Sequence, residues 1–280
     1  GDFGNAGCLE PFEAGTFSDQ IVVCERGEIA RVSKGTNVLA GGASGLVLVN
    51  VTSTDETVDA DLHVLPAIHL DIDQGQSLMD WLAVGSDHTA TIGASVMEKD
   101  PSKADIAASF TSRGPESIMN RWLTPHIAAP GVAIYAANTE YQPWFEPADR
   151  NEAPFTFMDG TSMATTHITG AYALIAALRP EWTPAQAQSA LMLSAETDTL
   201  LEDGVTPSDF FVAGAGSARI NAALNAGLLM DMSHDDYLNA NPGLDGVPED
   251  MNIASALRNE CMMECNWTRT FTATKASTWT

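Results

Sequence analysis

Basic residues are scarce in this chain. Thirteen Lys and Arg stand against 37 Asp and Glu across 280 residues, for a formal charge of −24. Such a surface repels phosphate backbones and anionic bilayers, so nucleic-acid and membrane partners are excluded as a function class. Apolar runs of membrane-spanning length are also missing. No signal peptide opens the chain, which starts Gly1-Asp2-Phe3 without methionine and so reads as an excised or processed piece. Cysteine is limited to four residues, Cys8 with Cys24 and Cys261 with Cys265. Even, locally paired usage suits two short-range disulfides in an oxidising compartment. The rival, a zinc site, gets little support from C-x3-C with no nearby histidine.

What remains is ample material for a core. Hydrophobic residues make up 45% of the chain and the mean hydropathy is −0.04, as in a globular protein. A length of 280 residues exceeds the usual single domain, so two domains are expected. Two N-x-T sequons, Asn50-Val51-Thr52 and Asn266-Trp267-Thr268, matter if a eukaryote makes the chain.

The chain is organised around residues 157–167. Gly160, Thr161 and Ser162 lead straight into an apolar run over residues 163–178. There Met163, Ile168, Ala171, Leu174, Ile175 and Leu178 recur at helical spacing, which predicts a mostly buried helix with Ser162 in its first turn. Orphan backbone N–H groups and the positive dipole end converge at that point. A serine there can attack a carbonyl while its own N–H stabilises the resulting oxyanion. The plainer alternative is that Thr161 or Ser162 is an ordinary N-cap.

Elsewhere the pattern alternates between strands and helices. Residues 21–24 read as a buried strand, 29–39 as a helix and 45–51 as a second strand, a β-α-β unit with a parallel pair. Residues 63–70 add a strand and 74–84 a helix with Leu78, Trp81 and Leu82 inward. The polar stretch 141–153 reads as a surface loop. Thr183, Pro184 and Gln186 form a capping-box start for another helix. Residues 217–224 carry the last helix, entered from the Gly214-Ala215-Gly216 turn. Acidic residues between 231 and 248, among them Asp231, Asp235, Asp236 and Asp245, could offer oxygen ligands to calcium. Their spacing has no ligand order, so a solvated linker is the reading, with no cofactor assigned. Residues 268–274 alternate with β-branched side chains as a strand does.

Gly160-Thr161-Ser162-Met163-Ala164 followed by His167 and Gly170 resembles the nucleophile motif of subtilisin-like serine proteases, the subtilases. The resemblance implies that Ser162 is the catalytic nucleophile. Residues 108–115 and 123–134 resemble further landmarks of that family. Three positions depart from its pattern: Thr166 replaces a usual proline, Asp159 a usual serine or asparagine, and His126 a usual aspartate. His126 and His167 are read as structural, as are His63, His69 and His88. Residues 21–27, the following helix, 45–50 and 65–67 resemble a protease-associated (PA) domain, a non-catalytic insertion that guides substrate access or mediates contacts between chains.

The fold class implied is therefore α/β: the C-terminal part of a subtilisin-like parallel-sheet domain, a PA domain, and the start of a fibronectin-III-like β-sandwich. The expected divisions are a PA domain at 1–92, the nucleophile half of the catalytic domain at 93–235, an acidic linker at 236–267, and a first sandwich strand at 268–280. Acyl transfer also needs a base, and an acid to orient it. None of the six histidines lies in a His-Gly-Thr segment, and no Asp-Ser-Gly or Asp-Thr-Gly occurs. The resemblance therefore implies that the aspartate, the histidine and the oxyanion asparagine lie upstream of Gly1. The function implied is a secreted serine endopeptidase acting on protein or peptide substrates, inactive as this piece alone. The alternative is a non-catalytic pseudoprotease or a PA-domain binding module.

Overall fold

The computed structural model describes residues 3–52, 57–94, 96, 99–115, 121–139, 153–259 and 261–278. The chain divides into two compact units, Gly1–Lys99 with Val132–Asp159, and Asp100–Gly131 with Gly160–Thr280.

The first unit is built on a parallel sheet. Strand β1 (Ile21–Glu25) leads into helix α1 (Arg31–Ala40), strand β2 (Gly45–Val49), strand β3 (Ala67–Leu70) and helix α2 (Ile72–Leu82). The sheet order is β1-β2-β3, both pairs parallel, with Val22 opposite Leu46 and Leu46 opposite Ala67. Every residue of central β2 is buried, which its unbroken apolar sequence anticipates. Cys8, Phe17, Cys24, Val38, Leu46, Leu48 and Leu65 pack together, and the Cys8–Cys24 disulfide lies inside that cluster. The expected β-α-β unit is present. The strand expected over 63–70 is shorter, because Pro66 has no N–H to give a ladder; its carbonyl still accepts from Leu46 N at 2.9 Å. A hairpin of β4 (Ile134–Ala137) and β5 (Phe155–Met158) completes the unit, Ile134 facing Met158 and Ala137 facing Phe155. Most of the expected loop 141–153 lies outside the described residues.

The second unit is helical. Helix α3 (Thr161–Leu178) precedes α4 (Pro184–Leu193), α5 (Phe210–Ala213), α6 (Ile220–Leu224), strand β6 (Leu228–Leu229), α7 (His234–Asn239) and strand β7 (Thr272–Ala273). Ala171, Ile175, Ala187, Ala190, Leu191, Ala223 and Leu229 form its core. The capping box at α4 is made as expected: Thr183 Oγ1 accepts from Gln186 N, and Gln186 Oε1 accepts from Thr183 N. Asp231 then ties this cap to the chain beyond β6. It accepts from Thr183 Oγ1 at 2.6 Å, Gln186 Nε2 at 3.0 Å and the Met232 N–H at 2.9 Å.

Two expectations need correction here. The helix after Ser162 is not mostly buried: only Ala171 and Ile175 are, while Leu174 and Leu178 are 51% and 58% exposed. Its apolar residues run all round rather than along one stripe, and the second unit covers a single side. Residues 231–248, read as a solvated linker, are solvated at Asp235, Asp236 and Asp245 and also carry local structure. They include α7, started by a capping box between Ser233 and Asp236. Of the strand expected over 268–274, only Thr272–Ala273 pairs, antiparallel to β6. The second disulfide, Cys261–Cys265, is present.

Candidate active site

Ser162 lies where the spacing predicts, in the first turn of α3 and one residue after Thr161. The turn is set by two glycines. Gly160 caps the helix at φ 154°, a conformation that side chains rarely adopt. Gly131 approaches it so closely that a Cβ at 131 would stand 2.8 Å from the Gly160 carbonyl oxygen. The Gly160 N–H donates to Gly131 O at 2.8 Å, so the backbones are hydrogen-bonded as well as close. Gly160 O in turn accepts from Met163 N at 3.1 Å and Ala164 N at 3.3 Å, closing the first turn.

The N–H groups of Thr161 and Ser162 are left over as orphans of the helix start, with no acceptor among the described residues. The Ser162 side chain is exposed, and its hydroxyl has no hydrogen-bond partner among the described residues. The ordinary N-cap reading is thereby corrected: neither Thr161 nor Ser162 caps, since Gly160 holds the cap position and no side chain bonds to the free amides. A hydroxyl beside unpaired N–H donors at a helix N-terminus can attack an electrophile and hold the negative charge that develops. Hydroxyls further along bond backward within α3, Thr165 to Thr161 O, Thr166 to Met163 O and Thr169 to Thr165 O. At Thr166 this keeps a regular helix where the family pattern has proline.

Among the described residues, no base is bonded to Ser162. His167 Nδ1 is bonded to Met163 O within its own helix at 2.9 Å, five residues past Ser162 and engaged elsewhere. His126 is half-buried, and burial pushes it below the ordinary imidazole value, which keeps it neutral. His69 is pushed down by burial and then by Arg26. Its Nδ1 accepts from Asp59 N at 2.9 Å, so Nε2 carries the proton toward Asn50 Oδ1 at 2.7 Å. His63 is lowered by burial, and its Nδ1 has no partner among the described residues. His88 packs against Trp81 at 4.2 Å between ring centres, and His234 opens α7. No group of three or more His, Cys, Asp or Glu among the described residues is arranged to hold a metal ion.

Asp159, the last residue of the first unit, is occupied within that unit. Its carboxylate accepts from the Ala133 N–H across the β4–β5 hairpin. Burial holds this carboxyl above its ordinary value, a hydrogen bond with Asp59 adds to the rise, and Arg31 opposes it. Asp59 is itself paired with Arg26 at 3.2 Å and Arg31 at 3.3 Å, and Arg31 also meets Asp61 at 2.5 Å. The charge that sequence reading puts near Ser162 thus belongs to a half-buried network whose other members lie around a hundred positions upstream. Only tertiary packing reveals it. The Gly131–Gly160 contact was similarly hidden, although the small residues and Pro-Gly turn of 123–134 signal close backbone approach.

Comparison with known proteins accords with this geometry. The family model described as "Subtilase family" matches residues 27–216. Among curated proteins, the chain is similar to "Subtilisin-like protease SBT5.4" of Arabidopsis thaliana, 36% identical over 238 residues that cover 83% of this chain and 30% of that protein. It is also similar to "Subtilisin-like protease SBT1.7" of the same plant, 37% identical over 228 residues covering 78% of this chain and 30% of that one. The chain thus spans about a third of the length of the curated relatives it matches. The family model over 27–216 and the extent of these matches lead to one conclusion: the chain belongs to the subtilase family.

Proposed function

We propose that this chain is the nucleophile-bearing portion of a secreted serine endopeptidase that hydrolyses peptide bonds in proteins. Ser162 attacks the scissile carbonyl, and its own backbone N–H supplies one donor to the oxyanion. The observation that carries the reading is the exposed Ser162 hydroxyl on a helix N-terminus whose Thr161 and Ser162 amides have no acceptor among the described residues. The general base, the aspartate that orients it and an oxyanion asparagine come from sequence upstream of Gly1. The open side of α3, where Ala173, Leu174, Ala177 and Leu178 are exposed, supports that view, because an all-round apolar helix is stable when buried on every side. Residues 1–92 act as a PA domain outside the chemistry, and residues 268–280 begin a β-sandwich.

The test is a serine-directed fluorophosphonate probe on the full-length protein. Labelling should map to Ser162 and vanish in Ser162→Ala; labelling that survives the substitution removes the nucleophile assignment. A second reading, a pseudoprotease that binds proteins through its PA region, draws on His126, Asp159 and Thr166 standing where the family pattern has other residues. It predicts no labelling of the wild-type protein, and upstream sequence without an aspartate and a His-Gly-Thr segment.

A further inference from the structure

The two N-x-T sequons stand in opposite environments. Asn50 follows β2 and is 2% exposed. Its Nδ2, the atom a glycan would have to occupy, donates to Thr57 O at 2.9 Å. Its Oδ1 accepts from His69 Nε2 at 2.7 Å and Arg26 Nη1 at 3.4 Å, and its backbone N–H donates to Leu70 O at 3.1 Å. An oligosaccharide on that nitrogen would break the network that joins β1, β2 and β3 to residues 57–59.

Asn266 is exposed, and among the described residues its amide makes one surface contact, to Glu264 Oε1 at 3.3 Å. From 266 to 270 exposure alternates residue by residue, outside any helix or strand ladder. Asn266 and Thr268 are exposed, while Trp267 and Arg269 are half-buried. Trp267 lies beneath the Arg258 guanidinium at 5.9 Å, and Arg269 is bonded to Ser255 O and Ile253 O. An extended chain puts residues two apart on the same side. The acceptor amide and the hydroxyl that defines the sequon are thus offered together on an anchored segment, next to the Cys261–Cys265 disulfide.

We propose that Asn266 is an N-glycosylation site and that Asn50 is a silent sequon. The inference rests on the secretory reading above, since the oligosaccharide donor is met in that pathway. Asn266 Nδ2 attacks the anomeric carbon of a lipid-diphosphate-linked oligosaccharide. The N–C1 bond forms, the C1–O bond to phosphate breaks, the lipid diphosphate leaves with the electron pair, and the amide loses one proton.

The experiment is to express the full-length protein through the secretory pathway of cultured human cells. Glycans are then removed enzymatically in heavy-oxygen water, which tags each formerly glycosylated asparagine as a labelled aspartate, and peptides are mapped by mass spectrometry. The tag is expected at 266 and not at 50, and Thr268→Ala should abolish it without altering secretion. A bare Asn266 in wild-type protein, or a tag at position 50 in folded secreted material, overturns the proposal. The same map reads the Cys8–Cys24 and Cys261–Cys265 disulfides; thiols in their place mean that the secretory reading fails and this proposal with it. Fluorophosphonate labelling of the same sample separates the outcomes, because a tagged but unlabelled protein defeats only the protease reading, and a labelled protein bare at 266 defeats only this one.

Discussion

Substituting Gly131 by alanine tests whether the turn that carries Ser162 depends on the Gly131–Gly160 contact. The new Cβ would stand 2.8 Å from Gly160 O and 3.3 Å from Ala164 Cβ. Carbon–oxygen contacts of this kind settle near about 3.3–3.6 Å, so the two backbones must part by roughly 0.5 Å. Gly160 O is held by the Met163 and Ala164 amides, and Gly160 N by Gly131 O, so the carbonyl cannot retreat without carrying the start of α3 with it. Overpacking of a tight contact costs about 1–3 kcal/mol. A reacting group displaced by about 1 Å loses on the order of a hundredfold in rate, so half that movement predicts roughly a tenfold loss. The assay is the second-order rate of fluorophosphonate labelling of the full-length protein, read beside its thermal unfolding. Labelling should slow about tenfold and Tm should fall by roughly 2–4 °C per kcal/mol lost. Unchanged labelling and unchanged Tm would refute the close approach. A lowered Tm with wild-type labelling would refute the claim that the contact positions Ser162.

Other perturbations follow from the same contacts. Replacing Cys8 and Cys24 together by alanine opens a loop of 16 residues and should cost about 3 kcal/mol, read as a lower urea midpoint. Thr183→Ala removes the α4 cap and the donor to Asp231, for an expected loss of about 1–3 kcal/mol measured by chemical unfolding. Asp159 has a raised carboxyl in the folded state, so the fold binds its proton more tightly than the unfolded chain does. That contribution is present below the ordinary value of 3.8 and is lost as pH rises through the raised value. Asp159→Asn keeps an acceptor for Ala133 N–H, so its urea midpoint should decline less than wild type over that rise; parallel pH profiles would count against the buried placement. Mild peroxide should inactivate the full-length enzyme, because Met163 follows Ser162 directly and a sulfoxide there would crowd the turn; full activity after verified oxidation of Met163 would argue against its position.

Much of this protein can be read without coordinates. The β2 run is apolar at every position and reads as a strand, and the Thr183-Pro184-Ala185-Gln186 string specifies its own helix start through local hydrogen bonds. The order Gly160-Thr161-Ser162 ahead of an apolar run likewise put Ser162 in a first helical turn, since capping and helix periodicity act within a few residues. Burial is different, because it depends on what packs from elsewhere. The same apolar string predicts a buried helix, whereas the packing supplied by this chain covers Ala171 and Ile175, and nothing local to 163–178 could show which residues those are. Nor could local pattern pair Asp159 with Asp59, press Gly131 onto Gly160, or separate Asn50 from Asn266, since both sequons have the form N-x-T and their different surroundings are brought together by folding. Short-range hydrogen bonds and periodicity wrote the elements; long-range packing decided which groups are charged, which are covered and which remain free to react.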